Sequence, residues 1–393
     1  MTDPRADAAR LAAGAVETLP AGELERQLER GSALRVKLGI DPTAPDIHLG
    51  HVVVLQKLRE FQDAGHIVVL IVGDYTARIG DPSGRAEERP VLANDEIDAN
   101  AETFKAQAFQ VLDRDRVEVR RNSEWLEMPS GELFDLIRRF TVARLLERDD
   151  LTNRMEAGAP VAALELLYPV LQGYDSVAVK ADVELGGTDQ KFNLLFARDV
   201  QTAFGQQPQS VLTLPILPGT DGVRRMSKSL GNYVGVTDEP AEMFGKLMSV
   251  PDEAMGEYFK LLLDHEPDEA RPPVEQKREL AAGIVARFHG DEAAAAAEAR
   301  FDRVHIEGGA PEDIPEVELG EVDGEGNVHL PLLISSAFEL SKSEARRLID
   351  QGGVKLDGEP LTPGQFELSV PELRGKTLQV GKRRFALLVP PGA

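Results

Sequence analysis

Residues 67–72 read Ile-Val-Val-Leu-Ile-Val, an unbroken apolar run in which all but Leu70 are β-branched. A run of this kind suits a strand covered on both faces, as in a parallel sheet. It is far too short to span a membrane. Just upstream, Val52, Leu55, Leu58 and Phe61 recur every three residues, so residues 49–64 are expected to form a helix closed by Gly65. Residues 36–40 read as a short strand, and residues 41–45, which include two prolines, as a turn. Strand, loop, helix and strand make one βαβ unit. Ligands of such sheets bind beyond the carboxyl ends of the strands. The loops at residues 39–51 and 73–89 are therefore expected at a ligand crevice.

The chain has 393 residues, enough for two or three domains at roughly 150 residues each. Its 42% hydrophobic and 28% charged residues fit a soluble globular protein and exclude a fibrous or disordered chain. No cysteine is present, which excludes disulfides and Cys-ligated zinc or iron–sulfur sites and fits a reducing cytoplasm. The first residues mix acidic and basic side chains and carry no apolar core, so no secretory signal is read. The net charge of −23 argues against a protein that coats nucleic acid, and a polyanionic partner would need local basic patches.

Residues 100–205 read as mostly helical with a glycine-bearing turn at Gly186-Gly187, and residues 210–217 as a buried strand. A polar loop over residues 219–231 follows. Residues 235–305 are helical again, with a stripe of Leu280, Ile284, Val285 and Phe288, a stop at Gly290 and a restart at Asp291. Residues 307–326 are acidic, aperiodic and free of Lys and Arg, and read as a solvated linker. The tail, residues 327–393, carries nine basic residues against seven acidic ones. Ser341-x-x-Glu344 is a capping box opening a helix with an apolar side of Ala345, Leu348 and Ile349. Lys342, Arg346 and Arg347 lie on or beside one face of that helix, and Lys355 follows in a hairpin turning at Asp357-Gly358. A compact basic module on an acidic chain suits contact with a phosphate backbone, although a merely solvated basic face has the same composition.

Two short segments stand out chemically. His48-Leu49-Gly50-His51 falls at the entry to the first helix. A helix start offers free N–H donors and the positive end of the dipole. Gly50 lets a nucleotide approach the backbone closely, and two imidazoles add donors where phosphate charge develops. Read from residues alone, His-x-x-His also suits part of a metal site, though without a nearby third ligand, or an unspecialised helix start. Arg225-Met226-Ser227-Lys228-Ser229 lies on the polar loop, with two cations and two hydroxyls able to grip a triphosphate. A third constellation is Tyr168, Gln172 and Asp175, spaced to share one helix face, with Asp175 able to accept a hydrogen bond from a phenol.

His48-Leu49-Gly50-His51 and the Arg225–Ser229 segment together resemble the paired signatures of class I aminoacyl-tRNA synthetases. Residues 38–45, 80–85 and 186–190, the Tyr168-x-x-x-Gln172-x-x-Asp175 spacing, residues 242–249 and residues 343–349 are similar to the bacterial tyrosyl-tRNA synthetase family. The tail resembles an RNA-binding module shared with a small-subunit ribosomal protein. The resemblance implies an α/β fold: a Rossmann-like parallel-sheet catalytic domain over residues 1–232, with a helical insertion at about 100–190 that joins a homodimer. It further implies a helical tRNA anticodon-binding domain over 233–306, the linker at 307–326 and the RNA-binding domain at 327–393.

The implied reaction activates L-tyrosine with ATP and its magnesium, then moves the tyrosyl group to the terminal ribose of tRNA(Tyr), in the cytoplasm, with no protein-bound zinc. His48, His51, Arg225 and Lys228 are the implied catalytic residues. Gly39, Asp41, Gly50, Gly187, Asp189, Met226, Ser227 and Ser229 join His48, His51 and Lys228 in binding ATP. Lys37, Asp81, Tyr168, Gln172, Asp175 and Gln190 would hold tyrosine. Lys37 stands where many relatives place a tyrosine near the substrate phenol. Arg85 and Arg89 would serve the pyrophosphate, and Lys342, Arg346, Arg347 and Lys355 the RNA. A non-catalytic RNA-binding relative and a tryptophan-specific sister enzyme are the alternatives. If an acidic chain grips RNA through local basic patches, its RNA affinity falls steeply with salt. Filter binding from low to high salt measures this, and a flat binding constant would contradict it.

Overall fold

The computed structural model describes residues 3–43, 46–81, 93–268, 270–305, 314–320, 322–324, 326–381 and 384–390. The chain divides into two compact units, residues 1–288 and 289–393. The division falls inside the helical block expected over residues 233–306, at the last residue of helix Pro273–His289 and before helix Asp291–His305.

The first unit is built on a sheet of six strands: β1 (Glu17–Leu19), β2 (Arg35–Ile40), β3 (Ile67–Val72), β4 (Val117–Arg121), β5 (Val183–Gly187) and β6 (Ser210–Leu214). They lie in the order β1-β6-β5-β2-β3-β4, parallel throughout except that β1 is antiparallel to β6. The expected βαβ unit is β2, helix Leu49–Asp63 and β3, with Arg35 to Ile40 paired against Ile67 to Val72. Val52, Leu55, Leu58 and Phe61 are fully buried, as are Val68 to Ile71. From β2 the chain builds outward to β3 and β4, then returns to add β5 on the other side. The sheet therefore has its topological switch point between β2 and β5, where a crevice opens at the strand ends.

Two strands lie inside the stretch read as mostly helical. The β4 strand is an edge, Val-Glu-Val-Arg-Arg, with no continuous apolar run to mark it. The β5 strand is short, and its two terminal glycines, read as a turn, continue the pairing with β6 instead. The β1 strand, within the first thirty residues, is likewise visible only in its pairing. Pro169 does not end its helix: Ala163–Val179 runs through it.

The second unit begins with helix Asp291–His305 and continues with β7 (Glu316–Glu318), β8 (Asn327–His329), β9 (Val354–Leu356), β10 (Glu359–Pro360), β11 (Glu367–Ser369), β12 (Thr377–Val380) and β13 (Arg384–Val389). Five strands form a sheet in the order β10-β9-β12-β13-β7, and β8 pairs with β11. Helices Leu330–Phe338 and Lys342–Asp350 complete its core with Ile334, Ala345 and Ile349. The Ser341 hydroxyl accepts a bond from the Glu344 N–H at 3.1 Å, the N-cap half of the expected box. The expected linker contains β7, which pairs in parallel with β13, and Leu319 beside it is buried. The alternation Glu316-Val317-Glu318-Leu319 is the strand signal that a reading based on charge passes over.

Helix Ala163–Val179 packs on helix Lys191–Ala203 through Gly173. A Cβ there would lie 2.5 Å from Val200 Cγ2 and 3.1 Å from Ala197 Cα. Gly173→Val should therefore cost about 3 kcal/mol by overpacking. Urea unfolding measures this, and a parental midpoint would contradict the close approach.

Candidate active site

The crevice at the switch point is a cavity of about 500 Å³. One wall is the start of helix Leu49–Asp63. The chain before it pairs with a distant segment: the Leu49 N–H donates to the Val234 carbonyl and the Val236 N–H to the Ile47 carbonyl, both at 3.0 Å, around an antiparallel bridge of His48 and Gly235. Residue 234 follows closely on the Arg225–Ser229 loop, so this pairing brings the loop to the helix start. Asn232 braces the loop, accepting from the Ser227 N–H at 2.9 Å and donating to Asp221 at 3.0 Å. Gly50 permits the contact, since a Cβ there would lie 3.0 Å from the His48 ring and 3.7 Å from Met226 Cβ.

The imidazoles of His48 and His51 are stacked obliquely, with ring centroids 3.9 Å apart. Burial pushes His48 down to about 2, helped by the nearby charges of His51, Lys228 and Arg225. Burial and Lys228 push His51 down to about 4. Both rings are therefore neutral at physiological pH and act as N–H donors and nitrogen acceptors, not as cations. His48 Nδ1 is buried with no hydrogen-bond partner among the described residues, an atom ready for a ligand. Lys228 forms an ion pair with Asp46, and its Nζ lies 5.5 Å from the Tyr233 ring centroid. Burial would raise Asp46, but hydrogen bonds from Lys228 and Gln107 hold it below the usual carboxylate range. Arg225 reaches Asp189 at 3.3 Å. Burial and the neighbouring Asp81 raise Asp189 against the pull of Arg225.

Helix Ala163–Val179 supplies the other end of the cavity. The Tyr168 hydroxyl donates to Asp41 at 2.9 Å, and Thr76 donates to the other Asp41 oxygen at 2.7 Å. Gln190 donates to Asp81 at 2.7 Å. Asp175 is buried and receives the Trp125 indole N–H at 2.8 Å. Burial raises Asp175 to about 7, while Lys37 and hydrogen bonds from Trp125 and Asn122 work against that rise. Gln172 Oε1 is a second buried acceptor without a partner among the described residues.

Gly39, Asp41, His48, Gly50, His51, Asp81, Tyr168, Gln172, Asp175, Gly187, Asp189, Gln190 and all five residues from Arg225 to Ser229 line this one cavity. Lys37 is not among its lining residues. Its side chain is fully buried behind the cavity wall and forms an ion pair with Glu184 at 2.8 Å. Its position on β2, paired with β5, directs it at Glu184 on the neighbouring strand. Arg85 and Arg89 lie outside the described residues. Lys342, Arg346, Arg347 and Lys355 are exposed on the second unit, with Arg346 stacked 5.2 Å over the Phe366 ring. Sequence reasoning missed Asp46, Thr76, Asn122, Trp125 and Glu184. Asp46 was within reach as an acid two residues before His48; the others are joined to the site only through the fold.

The neutral histidines have a consequence for stability. An imidazole lowered in the folded chain takes up its proton mainly on unfolding, so its contribution is complete above about pH 6.5 and drains as pH falls towards 4. Asp175 works the other way: its raised carboxyl is protonated in the folded chain, and the stability this brings is lost as pH rises through about 7. Replacing both histidines with Asn should flatten the loss below pH 6.5 by at most about 1.4 kcal/mol per pH unit per ring, less for their partial exposure. Urea unfolding across pH measures it, and an unchanged slope would contradict buried neutral rings.

Residues 29–305 match the model of the class I tRNA synthetases of the tryptophan and tyrosine type, and residues 331–366 match the S4 domain. The chain is 49% identical to a tyrosine–tRNA ligase of Moorella thermoacetica over 95% of this chain and 94% of that protein. It is 50% identical to one from Bordetella avium over 95% and 93%, and 48% identical to one from Aquifex aeolicus over 96% of both. The fold is similar to that of a mitochondrial tyrosyl-tRNA synthetase from Aspergillus nidulans, with a TM-score of 0.63 at 21% identity, covering 77% of this chain and 94% of that one. A tyrosyl-tRNA synthetase from Archaeoglobus fulgidus, crystallised with L-tyrosine, superposes with a TM-score of 0.61 at 22% identity over 75% and 99%. With family model, relatives and site geometry in agreement, this chain belongs to the tyrosine–tRNA ligase family of class I tRNA synthetases.

Proposed function

We propose that this chain joins L-tyrosine to tRNA(Tyr) in two steps. A tyrosine carboxylate oxygen attacks the α-phosphorus of ATP, the bond to the β-phosphate oxygen breaks, and pyrophosphate leaves with both electrons of that bond. The terminal ribose hydroxyl of tRNA(Tyr) then attacks the tyrosyl carbonyl and releases AMP. The observation that carries this reading is the convergence of the His48 helix start, the Lys228 loop and the Asp175 pocket on one cavity. Neither step needs a covalent nucleophile from the chain, so catalysis is positioning and charge stabilisation.

The neutral imidazoles and the helix N-terminus would donate to the phosphates, and Lys228 and Arg225 would neutralise charge growing on the leaving group. Gly39, Gly187, Asp41 and Asp189 would hold the nucleoside. Tyr168, Gln172, Asp81 and Gln190 would hold the substrate ammonium, and Asp175 its phenol. A pocket that bonds a hydroxyl rejects phenylalanine because its own polar groups would be left unpaired. Magnesium would arrive on the triphosphate and add charge neutralisation there. Arg85 and Arg89 would meet the pyrophosphate.

The match to the S4 domain supports RNA contact through Lys342, Arg346, Arg347 and Lys355. The helical block at 233–306 would share the tRNA. Phe134, Val142, Met155 and Leu164 are exposed apolar residues of the 100–190 segment, which supports its role as a homodimer interface. Among the described residues no helix is long and apolar enough to cross a membrane, and the cytoplasm is the compartment this reaction calls for.

Exchange of labelled pyrophosphate into ATP should depend on tyrosine. Lys228→Ala should slow adenylate formation about 100-fold, the scale of one lost charge-stabilising donor, with little change in the tyrosine dissociation constant. Equal losses in both would contradict the assignment.

A further inference from the structure

Lys37 and Glu184 form a buried ion pair that no step above uses. Their side chains are 0% and 1% exposed. The Lys37 ammonium has three protons, and three acceptors surround it: the Gln172 carbonyl at 3.1 Å, Ser176 Oγ at 2.7 Å and Glu184 Oε1 at 2.8 Å. Glu184 in turn accepts from Ser176 Oγ at 3.2 Å and Gln172 Nε2 at 3.5 Å. Two of the three acceptors thus sit one helical turn apart on Ala163–Val179, and Asp175 lies between them. The third is on β5, and Lys37 itself is on β2.

This turn begins just past Pro169, whose missing N–H removes one bond of the helical ladder. The helix is continuous through it, and residues 172–176 are held from two sides: Gly173 packs closely on helix Lys191–Ala203, while the Lys37 and Glu184 contacts tie the same turn to the sheet. We propose that Lys37 is a specificity-positioning residue: with Glu184 it clamps the turn bearing Gln172 and Asp175 to β2 and β5, and so sets where the pocket's phenol acceptor stands. Burying two charges costs desolvation, and an apolar pair of similar volume often fills such a space as stably. The clamp acts through the direction of its bonds. An apolar pair has no such direction and leaves the turn's place over the sheet to packing alone.

The inference rests on the tyrosine-binding reading, and the test separates the two. The variants are Lys37→Met/Glu184→Met, which removes both charges together, and Ser176→Ala, a mild change that cuts one link. Each is compared with the parent by thermal unfolding and by pyrophosphate exchange with tyrosine and with phenylalanine. The double variant is expected to unfold close to the parental temperature and yet lose about 100-fold in the tyrosine-over-phenylalanine ratio of kcat/KM, the scale of a small misplacement of a positioned group. The loss should fall on the KM for tyrosine, with kcat and the KM for ATP little changed. Ser176→Ala should move the same ratio several-fold in the same direction. A parental ratio in either folded variant overturns the clamp. Equal losses for tyrosine, phenylalanine and ATP also overturn it, as the mark of a merely structural pair. Should the unaltered chain show no tyrosine-dependent exchange, the parent reading fails instead.

Discussion

The site depends on a short stretch of backbone pairing between residues 47–49 and 234–236. Those segments are far apart in the chain, and neither is a regular strand. Their two hydrogen bonds and the bridge at His48 put the helix start and the basic loop on one cavity wall. Without that pairing, His48 and Lys228 would be two unrelated polar segments. With it, the positive end of a helix, two imidazoles and two cations surround one volume, as a polyphosphate needs.

Charge in the site is arranged by burial as much as by sequence. The histidines are neutral because burial strips much of their solvation and cations stand near. Lys228 and Arg225 are held by Asp46 and Asp189, so the cavity presents cations already paired with carboxylates. An anionic ligand competes with those carboxylates for the cations, which favours the more highly charged species. At the other end Asp175 is raised because it is buried, against the pull of the Lys37 charge. One cavity thus combines a cationic end with an end of carboxylates and amides in which Asp175 is the buried carboxyl.

The second unit follows a different electrostatic logic. The whole chain carries a net charge of −23, yet its tail is slightly basic and leaves Lys342, Arg346, Arg347 and Lys355 exposed. Screening limits the reach of the acidic bulk to roughly 8–10 Å at ordinary salt, so a local basic face can still meet a phosphate backbone. Its helix and hairpin owe little to charge: Ile334, Ala345, Ile349, Val354 and Leu378 form the core that holds them.

Much of this was legible in the residues. The apolar run at Ile67–Val72 and the three-residue recurrence before it announce a βαβ unit, because periodicity reports which faces are buried. Capping at Ser341, the turn at Asp357-Gly358 and the two signature segments are local chemistry, readable without neighbours. The charged edge strand β4 and the glycine-ended β5 were not legible, because each is stabilised by a ladder partner and not by its own pattern, and the alternation of β7 was masked by the acidic stretch around it. Lys37 shows the same limit most clearly. In sequence it stands at a position associated with substrate contact; in the fold it is withdrawn behind the wall and tied to Glu184. A residue's type and spacing determine what it can bond, but the register of β2 against β5 decides which partner comes within reach, and hydrogen bonds and ion pairs act only over a few ångströms.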